Sequence, residues 1–253
     1  MKSLESMYNS ILLENQNSNK IDIKLLKKYV KCTYTINDDG SIDVDGSVDL
    51  SNKNLSKIPF KFGIVSGDFN CSDNQLTSLE GAPNSVGGNF ICHDNQLTSL
   101  EGSPNSVSGI FSCGGNQLSS LKGAPNSVGG IFHCSDNQLT SLEGAPTTVG
   151  GNFYCQNNQL TSLEGAPNSV GGDFYCYNNQ LTSLEYAPKM VGGSFYCSNN
   201  PNLPYSELFK IVDRVKNNIY YSSYRTPTDK DKIRRDRDVK GILKDNELGS
   251  LDV

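Results

Sequence analysis

Residues 149–169 read VGGNFYCQNNQLTSLEGAPNS, and residues 170–190 repeat the pattern as VGGDFYCYNNQLTSLEYAPKM. About seven such 21-residue copies follow one another. Their cysteines therefore lie one period apart, at Cys71, Cys92, Cys113, Cys134, Cys155, Cys176 and Cys197. A repeat of this length predicts a solenoid, in which each turn buries its apolar side against its neighbours. It favours a binding protein over an enzyme, because stacked turns create extended surfaces for recognition.

The remainder of the 253-residue chain flanks the repeats. The turn at Asp38, Asp39 and Gly40, between alternating apolar residues, predicts a β-hairpin before the first turn. Lys53 stands where the later turns have asparagine, as expected of a terminal repeat. We expect five regions: an N-terminal amphipathic helix and linker over 1–20, an N-terminal cap of helix plus hairpin over 21–47, a solenoid of eight turns over 48–200, a C-terminal helical cap over 201–219, and a charged tail over 220–253.

The net charge of −5 is unevenly distributed. Residues 67–200 contain two cations, Lys122 and Lys189, against ten carboxylates. An acidic body repels phosphate backbones, so we expect no nucleic-acid partner. The basic run at 230–240, KDKIRRDRDVK, is diluted by aspartates and is interpreted as a solvated face.

The seven periodic cysteines are interpreted as a reduced apolar column rather than as disulfides. Stacked strands place them about 4.8 Å apart, but with parallel rather than converging Cβ vectors. The sequence contains no secretory segment, and no apolar run approaches the ~20 residues that a membrane helix needs. We therefore expect a cytoplasmic, monomeric protein that does not contact a membrane.

Each repeat contains the pattern F-x-C-x-x-N-x-L-x-x-L, as in Phe153, Cys155, Asn158, Leu160 and Leu163. This pattern resembles the leucine-rich-repeat signature, and it covers about 60% of the chain. The resemblance implies a horseshoe with a parallel β-sheet and little helix in the repeats. It also implies that asparagines bond backbone groups of adjacent turns: Asn74, Asn95, Asn116, Asn137, Asn158, Asn179 and Asn200. The sequence motif N-Q-L-T-S-L-E-G-A-P resembles motifs of uncharacterised repeat proteins of bacteria and their tailed phages.

The positions that change between copies indicate the binding surface. Phe and Cys alternate along one short strand and are expected to point inward, so the residues beside them should tile the concave face. Tyrosines gather towards the C-terminal half of this face and isoleucines towards its middle. We predict a partner-binding site formed by Tyr154, Tyr175, Tyr177, Tyr196, His133, Ile131, Ile110 and Ile91. Alternatively, the tyrosines form a stacked ladder that only stabilises neighbouring strands.

Catalytic and metal sites find little support in the sequence. We find no G-x-S-x-G, H-E-x-x-H, P-loop or dinucleotide-binding motif, so we predict no catalytic residues and no cofactor. His93 and His133 lie beside Cys92 and Cys134, but on the opposite face of the strand. Zinc needs four converging ligands, so no metal site is predicted.

The leading interpretation is a non-enzymatic module that binds another protein on its concave sheet, in a phage–host setting. The alternative is a phage virion, internal head or structural component. It rests on the N-terminal MKS, the helix that follows and Leu12-Leu13-Glu14, which resemble the capsid-targeting leaders of T-even-type internal head proteins. In that case the protein would be packaged in the virion.

Overall fold

The computed structural model describes residues 21–223 and 225–249, with side chains placed for most of them. The predicted N-terminal amphipathic helix and the leader of the alternative hypothesis lie outside the described residues. Within them, each repeat contributes one short strand, of two residues in most turns, to each of two sheets that run the length of the solenoid. Neighbouring turns pair in parallel and in register, as in Phe132 with Phe153 and Phe111.

The ten-stranded sheet contains the Phe-x segments of the repeats, and its order is β19-β18-β17-β15-β13-β11-β9-β7-β5-β3. Its strands are β3 (Val48–Asp49), β5 (Phe69–Asn70), β7 (Phe90–Ile91), β9 (Phe111–Ser112), β11 (Phe132–His133), β13 (Phe153–Tyr154), β15 (Phe174–Tyr175), β17 (Phe195–Tyr196), β18 (Ile219–Ser223) and β19 (Thr226–Thr228).

The nine-stranded sheet contains the segments that precede the glycine pairs, and its order is β1-β2-β4-β6-β8-β10-β12-β14-β16. Its strands are β1 (Thr33–Ile36), β2 (Ile42–Asp45), β4 (Phe62–Val65), β6 (Ser85–Val86), β8 (Ser106–Val107), β10 (Ser127–Val128), β12 (Thr148–Val149), β14 (Ser169–Val170) and β16 (Met190–Val191). The leucine-rich-repeat resemblance implied a single parallel sheet, so the second sheet is a finding of the structure.

The core runs along the solenoid between the sheets and the leucine segment. The seven repeat phenylalanines have no exposed surface, and their rings stack from turn to turn with centroids 5.1–5.6 Å apart. The repeat cysteines are buried beside them and are free thiols. Inward Phe and Cys thus form continuous columns, as the alternation along the strand predicts.

The glycine pairs are required by close packing between turns. A Cβ built on Gly150 would overlap the carbonyl oxygen of Gly129, and one on Gly171 would overlap that of Gly150. Positive φ is found at a different glycine, the one that follows the glutamate of the repeat, for example +90° at Gly144.

The N-terminal cap contains helix α1 (Ile23–Tyr29) and the hairpin of β1 and β2. Asp22 caps α1 by accepting a hydrogen bond from the backbone N–H of Leu25 at 3.0 Å. Strand β2 pairs in parallel with β4, so the hairpin covers the edge of the nine-stranded sheet. Val30 forms an antiparallel bridge with Val48 at the edge of the ten-stranded sheet.

The C-terminal region differs from the predicted helical cap over 201–219 and charged tail over 220–253. A 3-10 helix (Tyr205–Lys210) is followed by β18, which adds a ninth parallel strand to the turns. Ile219 pairs with Phe195 and Tyr220 with Tyr196, at an offset of 24 rather than 21 residues. That longer offset concealed the last turn in the sequence.

The basic run of the predicted tail lies in a helix, α2 (Lys230–Gly249). Ile233 is fully buried against the cap. The Asp213 carboxylate accepts hydrogen bonds from Arg234 at 3.0 Å and from Arg237 at 2.5 Å. The Lys230 ammonium donates to the Val215 carbonyl at the C-terminal end of the cap. These contacts attach the first turns of α2 to the solenoid.

Candidate functional site

The outer face of the ten-stranded sheet carries the residues that change between copies. Tyr154, Tyr175 and Tyr196 lie in one column on β13, β15 and β17, and Tyr220 of β18 extends it. Successive rings stack with centroids 4.5, 4.4 and 4.3 Å apart and planes within 11° of parallel. We call these four residues the tyrosine ladder. Tyr220 was not among the predicted site residues, because its offset removed it from the repeat alignment.

The tyrosine ladder is held at its hydroxyl groups as well as at its rings. The Tyr175 hydroxyl donates to Asp173 at 2.8 Å, and the Asn152 amide donates to the Tyr154 hydroxyl at 2.9 Å. Burial, followed by the hydrogen bond to Asp173, raises the pKa of Tyr175 well above its usual range. Tyr177 packs edge-on against Tyr175, with centroids 6.5 Å apart. Because neighbours cover the ring faces, the ladder presents mainly ring edges.

A groove of about 610 Å³ lies beside the ladder, on the same face of the sheet. Three half-buried isoleucines form its apolar side, and Tyr154 lies at one end. We call it the isoleucine groove; its lining residues are Ile91, His93, Asp94, Ile110, Ser112, Gly114, Gly115, Ile131, His133, Asp136, Tyr154 and Gln156. Five of the eight predicted site residues therefore line one groove, while Tyr175, Tyr177 and Tyr196 lie beyond its end.

The residue before each phenylalanine accepts a backbone hydrogen bond in several turns, but the two isoleucines at this position cannot do so. Asn89 accepts a hydrogen bond from the backbone N–H of Ile110 at 2.8 Å, one turn further on. The same bond is made to Asp68 and, later in the array, to Asn152 and Asp173. Ile110 and Ile131 occupy this position in two consecutive turns, and isoleucine has no acceptor to offer.

A second column, not identified from the sequence, lies two residues after each cysteine. Its residues have left-handed backbone conformations with φ between 53° and 61°, which asparagine, aspartate and glycine tolerate best. The members are Asp73, Asp94, Gly115, Asp136, Asn157, Asn178 and Asn199. Asn157 donates to Asp136, Asn178 to Asn157, and Asn199 to Asn178, each at 2.8 Å. The restriction to Asn, Asp and Gly was the sequence signal for this column.

Gly115 interrupts this second column between two carboxylates. A Cβ on Gly115 would overlap Oδ1 of Asp94, so the Asp94 side chain occupies part of the space that other turns fill. The preceding Gly114 also lacks a side chain, and a Cβ there would lie 3.0 Å from Cε1 of His133. The two glycines open the polar side of the isoleucine groove.

His133 is fixed by hydrogen bonds on both ring nitrogens. Nδ1 lies 3.2 Å from the Ser112 hydroxyl, and Nε2 lies 2.6 Å from the Ser135 hydroxyl. Ser135 donates its one proton to Asp136, so Nε2 donates to Ser135, and in the neutral ring Nδ1 accepts from Ser112. Burial lowers the pKa of His133, with Asp136 acting in the opposite direction. A neutral, oriented imidazole therefore borders the groove near neutral pH.

Ser112 and Ser135 are themselves almost inaccessible, with 5% and 1% of their surface exposed. Ser135 points its proton at Asp136 rather than at His133. Ser135 thus anchors the ring of His133 rather than acting as a serine activated by a base.

Asp73, His93 and Asp94 bring three potential ligand atoms within 4.8 Å of one another, a grouping that the sequence analysis did not identify. Both carboxylates are exposed, and Nδ1 of His93 lies 2.8 Å from Oδ2 of Asp94. The buried cysteines point into the core, so they cannot join the histidines in one coordination sphere.

The asparagines predicted as a structural ladder make one repeated set of contacts. In Asn137, Oδ1 accepts from the backbone N–H of Leu118 at 3.0 Å, one turn before. Its Nδ2 lies 3.1–3.3 Å from the carbonyl oxygens of Cys113, Cys134 and Ser135. Equivalent bonds from Nδ2 are present at Asn74, Asn95, Asn116, Asn158, Asn179 and Asn200. These side chains satisfy backbone groups that would otherwise be buried unpaired.

No protein-family model matches the sequence, and no curated protein matches it. Among solved structures, the leucine-rich-repeat domain of a Shigella effector is similar, with a TM-score of 0.54. The likeness covers 71% of this chain and 82% of that domain. The chain has a leucine-rich-repeat fold. Sequence identity is 23%, so the likeness to the effector domain extends to the fold alone.

The leucine-rich-repeat array of this chain combines very short strands with a second sheet in place of helices. Within the described residues, none of the helices is both long enough and apolar enough to cross a membrane. The repeat glutamates are exposed and lie outside the groove: Glu80, Glu101, Glu143, Glu164 and Glu185. Lys122, at the same repeat position, pairs with Glu143 at 3.3 Å.

Proposed function

We propose that the chain is a non-enzymatic protein-interaction module whose partner binds the outer face of the ten-stranded sheet. The isoleucine groove is the centre of this site, with Ile91, Ile110, Ile131, His133 and Tyr154 in contact with the partner. Tyr175, Tyr177 and Tyr196 extend the surface beyond the groove. The leucine-rich-repeat fold supports an interaction role in general, because repeats of this kind present one continuous surface.

The observation that carries the proposal is the pair Ile110 and Ile131. Elsewhere in the column, Asn and Asp accept backbone hydrogen bonds, each with a net value of about 0.5–1.5 kcal/mol. These two turns forgo that bond and leave isoleucine side chains half-buried on the surface. The part of each isoleucine that stays exposed contributes nothing to folding, whereas a partner that buries it would gain about 25 cal/mol per Å² of apolar surface.

The tyrosine ladder supports the site in a different way. Its rings are stacked and its hydroxyls at Tyr154 and Tyr175 are already bonded within the chain. Its contribution to a complex is therefore a rigid wall that loses little entropy on binding. The two sequence interpretations, stacking ladder and contact surface, are compatible in this arrangement.

Restoring the repeat residue at both isoleucines provides the test. In the double variant Ile110→Asn, Ile131→Asn, each asparagine can accept the next backbone N–H, as Asn89 does for Ile110. The fold should be kept or slightly stabilised while the groove loses its apolar side. A displayed library of random twelve-residue peptides is selected on the wild-type chain, and each selected peptide is then measured on the double variant.

We expect selected peptides that bind the double variant at least about tenfold more weakly, a loss of roughly 1.4 kcal/mol. Tyr186→Ala, an exposed change outside the groove, is the control and should leave affinity unchanged. Peptides that bind wild type and double variant equally would place recognition elsewhere and overturn the proposal. The phage–host setting enters only as the source from which a natural partner should be sought.

A further inference from the structure

The isoleucine groove is chemically divided. One side of the groove is apolar and consists of Ile91, Ile110 and Ile131. On the other side, Asp94 and Asp136 lie in the turns before and after Gly114 and Gly115. Among the described residues that line it, none is lysine or arginine. Residues 67–200, which contain the regular repeats, have ten carboxylates and two cations, so no excess of positive charge in these turns offsets this side. The groove therefore complements a segment that is apolar on one side and cationic on the other.

The space between the two carboxylates depends on Gly115. Asp94, Gly115 and Asp136 hold the same left-handed position in three consecutive turns. Asp94 and Asp136 are thus two strand spacings apart, about 9.5 Å along the solenoid. With a side chain at 115, the column would be continuous, as it is from Asp136 to Asn199. With glycine there, the groove extends over residue 115, and Oδ1 of Asp94 borders this space on one side.

Both carboxylates are oriented but still able to accept hydrogen bonds. Asp94 has Oδ2 beside His93, and Oδ1 lies over Gly115. Asp136 accepts from Ser135 and from the Asn157 amide. A carboxylate has about four acceptor positions, so each retains capacity for a further donor. Fixed carboxylates lose little entropy when a charged donor binds between them.

We propose that the gap over Gly115, between Asp94 and Asp136, receives an arginine side chain of the partner, with adjacent apolar side chains of the same segment packing on Ile110 and Ile131. Arginine suits the gap better than lysine because its planar guanidinium donates from both edges. Each N–H···O bond spans about 2.9 Å, so a planar donor can reach a carboxylate on either side. This inference rests on the proposed function, since it assigns the chemistry of the segment that occupies the groove.

We call the gap over Gly115 that receives the arginine the arginine seat. The test distinguishes binding at the arginine seat from binding to the apolar side of the groove. The affinity of peptides selected from the displayed twelve-residue library is measured on Gly115→Asn. This variant places in the gap an asparagine, which the second column has in other turns. The peptides are also measured on the double variant Asp94→Asn, Asp136→Asn, which keeps shape and backbone compatibility but removes the charges. Glu164→Gln is the control for the loss of a carboxylate, because Glu164 is exposed and does not line the groove.

We expect groove-dependent peptides to be rich in arginine and to bind both test variants about tenfold or more weakly, with Glu164→Gln within about twofold of wild type. Replacing the arginine by uncharged citrulline in a selected synthetic peptide should reproduce the loss. Thermal melts establish that Gly115→Asn is folded, and the charge variants remain informative if it is not.

Three outcomes would overturn the arginine seat. Groove-dependent peptides that lack arginine, or that bind the charge variants normally, would remove it while leaving the proposed function standing. Peptides that accept lysine equally would remove the planar guanidinium as the recognised group. Peptides that show no dependence on the isoleucines would remove both proposals together.

Discussion

The ring of Tyr175 stacks on the ring of Tyr196, with centroids 4.4 Å apart and planes 11° from parallel. The same relationship continues to Tyr154 on one side and from Tyr196 to Tyr220 on the other. The surface tyrosines of this face are therefore structural elements as well as candidate contacts. Their side chains are half-buried, so removing one affects the turns on both sides.

We expect Tyr175→Ala to lower the free energy of unfolding by about 2–3 kcal/mol. The variant loses two ring contacts, each worth about 0.5–1.5 kcal/mol beyond the area buried. Urea unfolding measures the effect. Tyr186→Ala is the control, since Tyr186 is 54% exposed and should change stability by about 0.5 kcal/mol or less. Equal unfolding midpoints for the two variants would contradict a stabilising ladder.

Asn137→Ala should cost about 2 kcal/mol, because Asn137 satisfies the Leu118 N–H and three carbonyl oxygens of buried turns. Chemical denaturation provides the measurement. Gln138→Ala, the adjacent exposed residue, is the matched control. Ser135 is unsuitable as a control, since it is buried beneath His133 and bonded to it. A cost at Gln138 as large as that at Asn137 would refute the structural role of the ladder.

Thiol labelling should find one accessible cysteine and seven protected ones. Cys32 is partly exposed, whereas the seven repeat cysteines are buried and free. Burial raises the pKa of Cys71 and of Cys197 to about 12, so the reactive thiolate is scarce at neutral pH. A chromogenic disulfide reagent should titrate about one thiol quickly in the native chain and eight after denaturation. Cys32→Ser should remove the fast phase; several fast thiols in that variant would contradict the buried column.

Stability should fall steeply as pH rises above about 9. The ordinary thiol pKa is 9.0, and burial raises it to about 12 at Cys71. Above pH 9 the unfolded chain releases thiol protons that the folded chain retains, so the folded state is progressively disfavoured until pH passes 12. Each buried thiol contributes a slope of about 1.4 kcal/mol per pH unit in this window.

Circular dichroism melts between pH 7 and pH 11 measure this dependence. Cys155→Ala should make the fall of stability with pH shallower by the contribution of one thiol. This change in slope is independent of the variant's stability at pH 7. The pKa of Cys155 is raised by burial in the same direction, which makes it a suitable position. An unchanged melting temperature up to pH 11 would rule out the linkage.

Gly150→Ala should destabilise the array by about 2 kcal/mol or more, because the added methyl group overlaps the carbonyl oxygen of Gly129 in the preceding turn. Gly241→Ala is the control. It lies in α2 with open space around it, and alanine there should favour the helix by up to about 1 kcal/mol. Thermal unfolding of both variants checks the prediction, and a neutral Gly150→Ala would mean that the turns are less closely packed than described.

The sequence alone determined the period, the inward columns and the asparagine ladder, because each is repeated in register and one physical rule applies to every copy. Phe153 and Cys155 alternate on one strand, so both must point to the same side. The hairpin before the first turn was also predictable, since turn residues and alternating apolar residues are local signals. The predicted helical cap over 201–219 contains the 3-10 helix (Tyr205–Lys210), but the sequence did not reveal that Ile219 and Tyr220 continue the sheet, because they do so at a different spacing.

Only the tertiary structure decided what the departures from the repeat mean. The sequence shows that Ile110 and Gly115 differ from their counterparts, but not that the counterparts bond the next turn and fill a column. Those functions depend on side chains 21 residues apart lying one strand spacing from each other. The groove exists because several departures fall in neighbouring turns on one face, and such adjacency is a property of the stacked chain rather than of any single repeat.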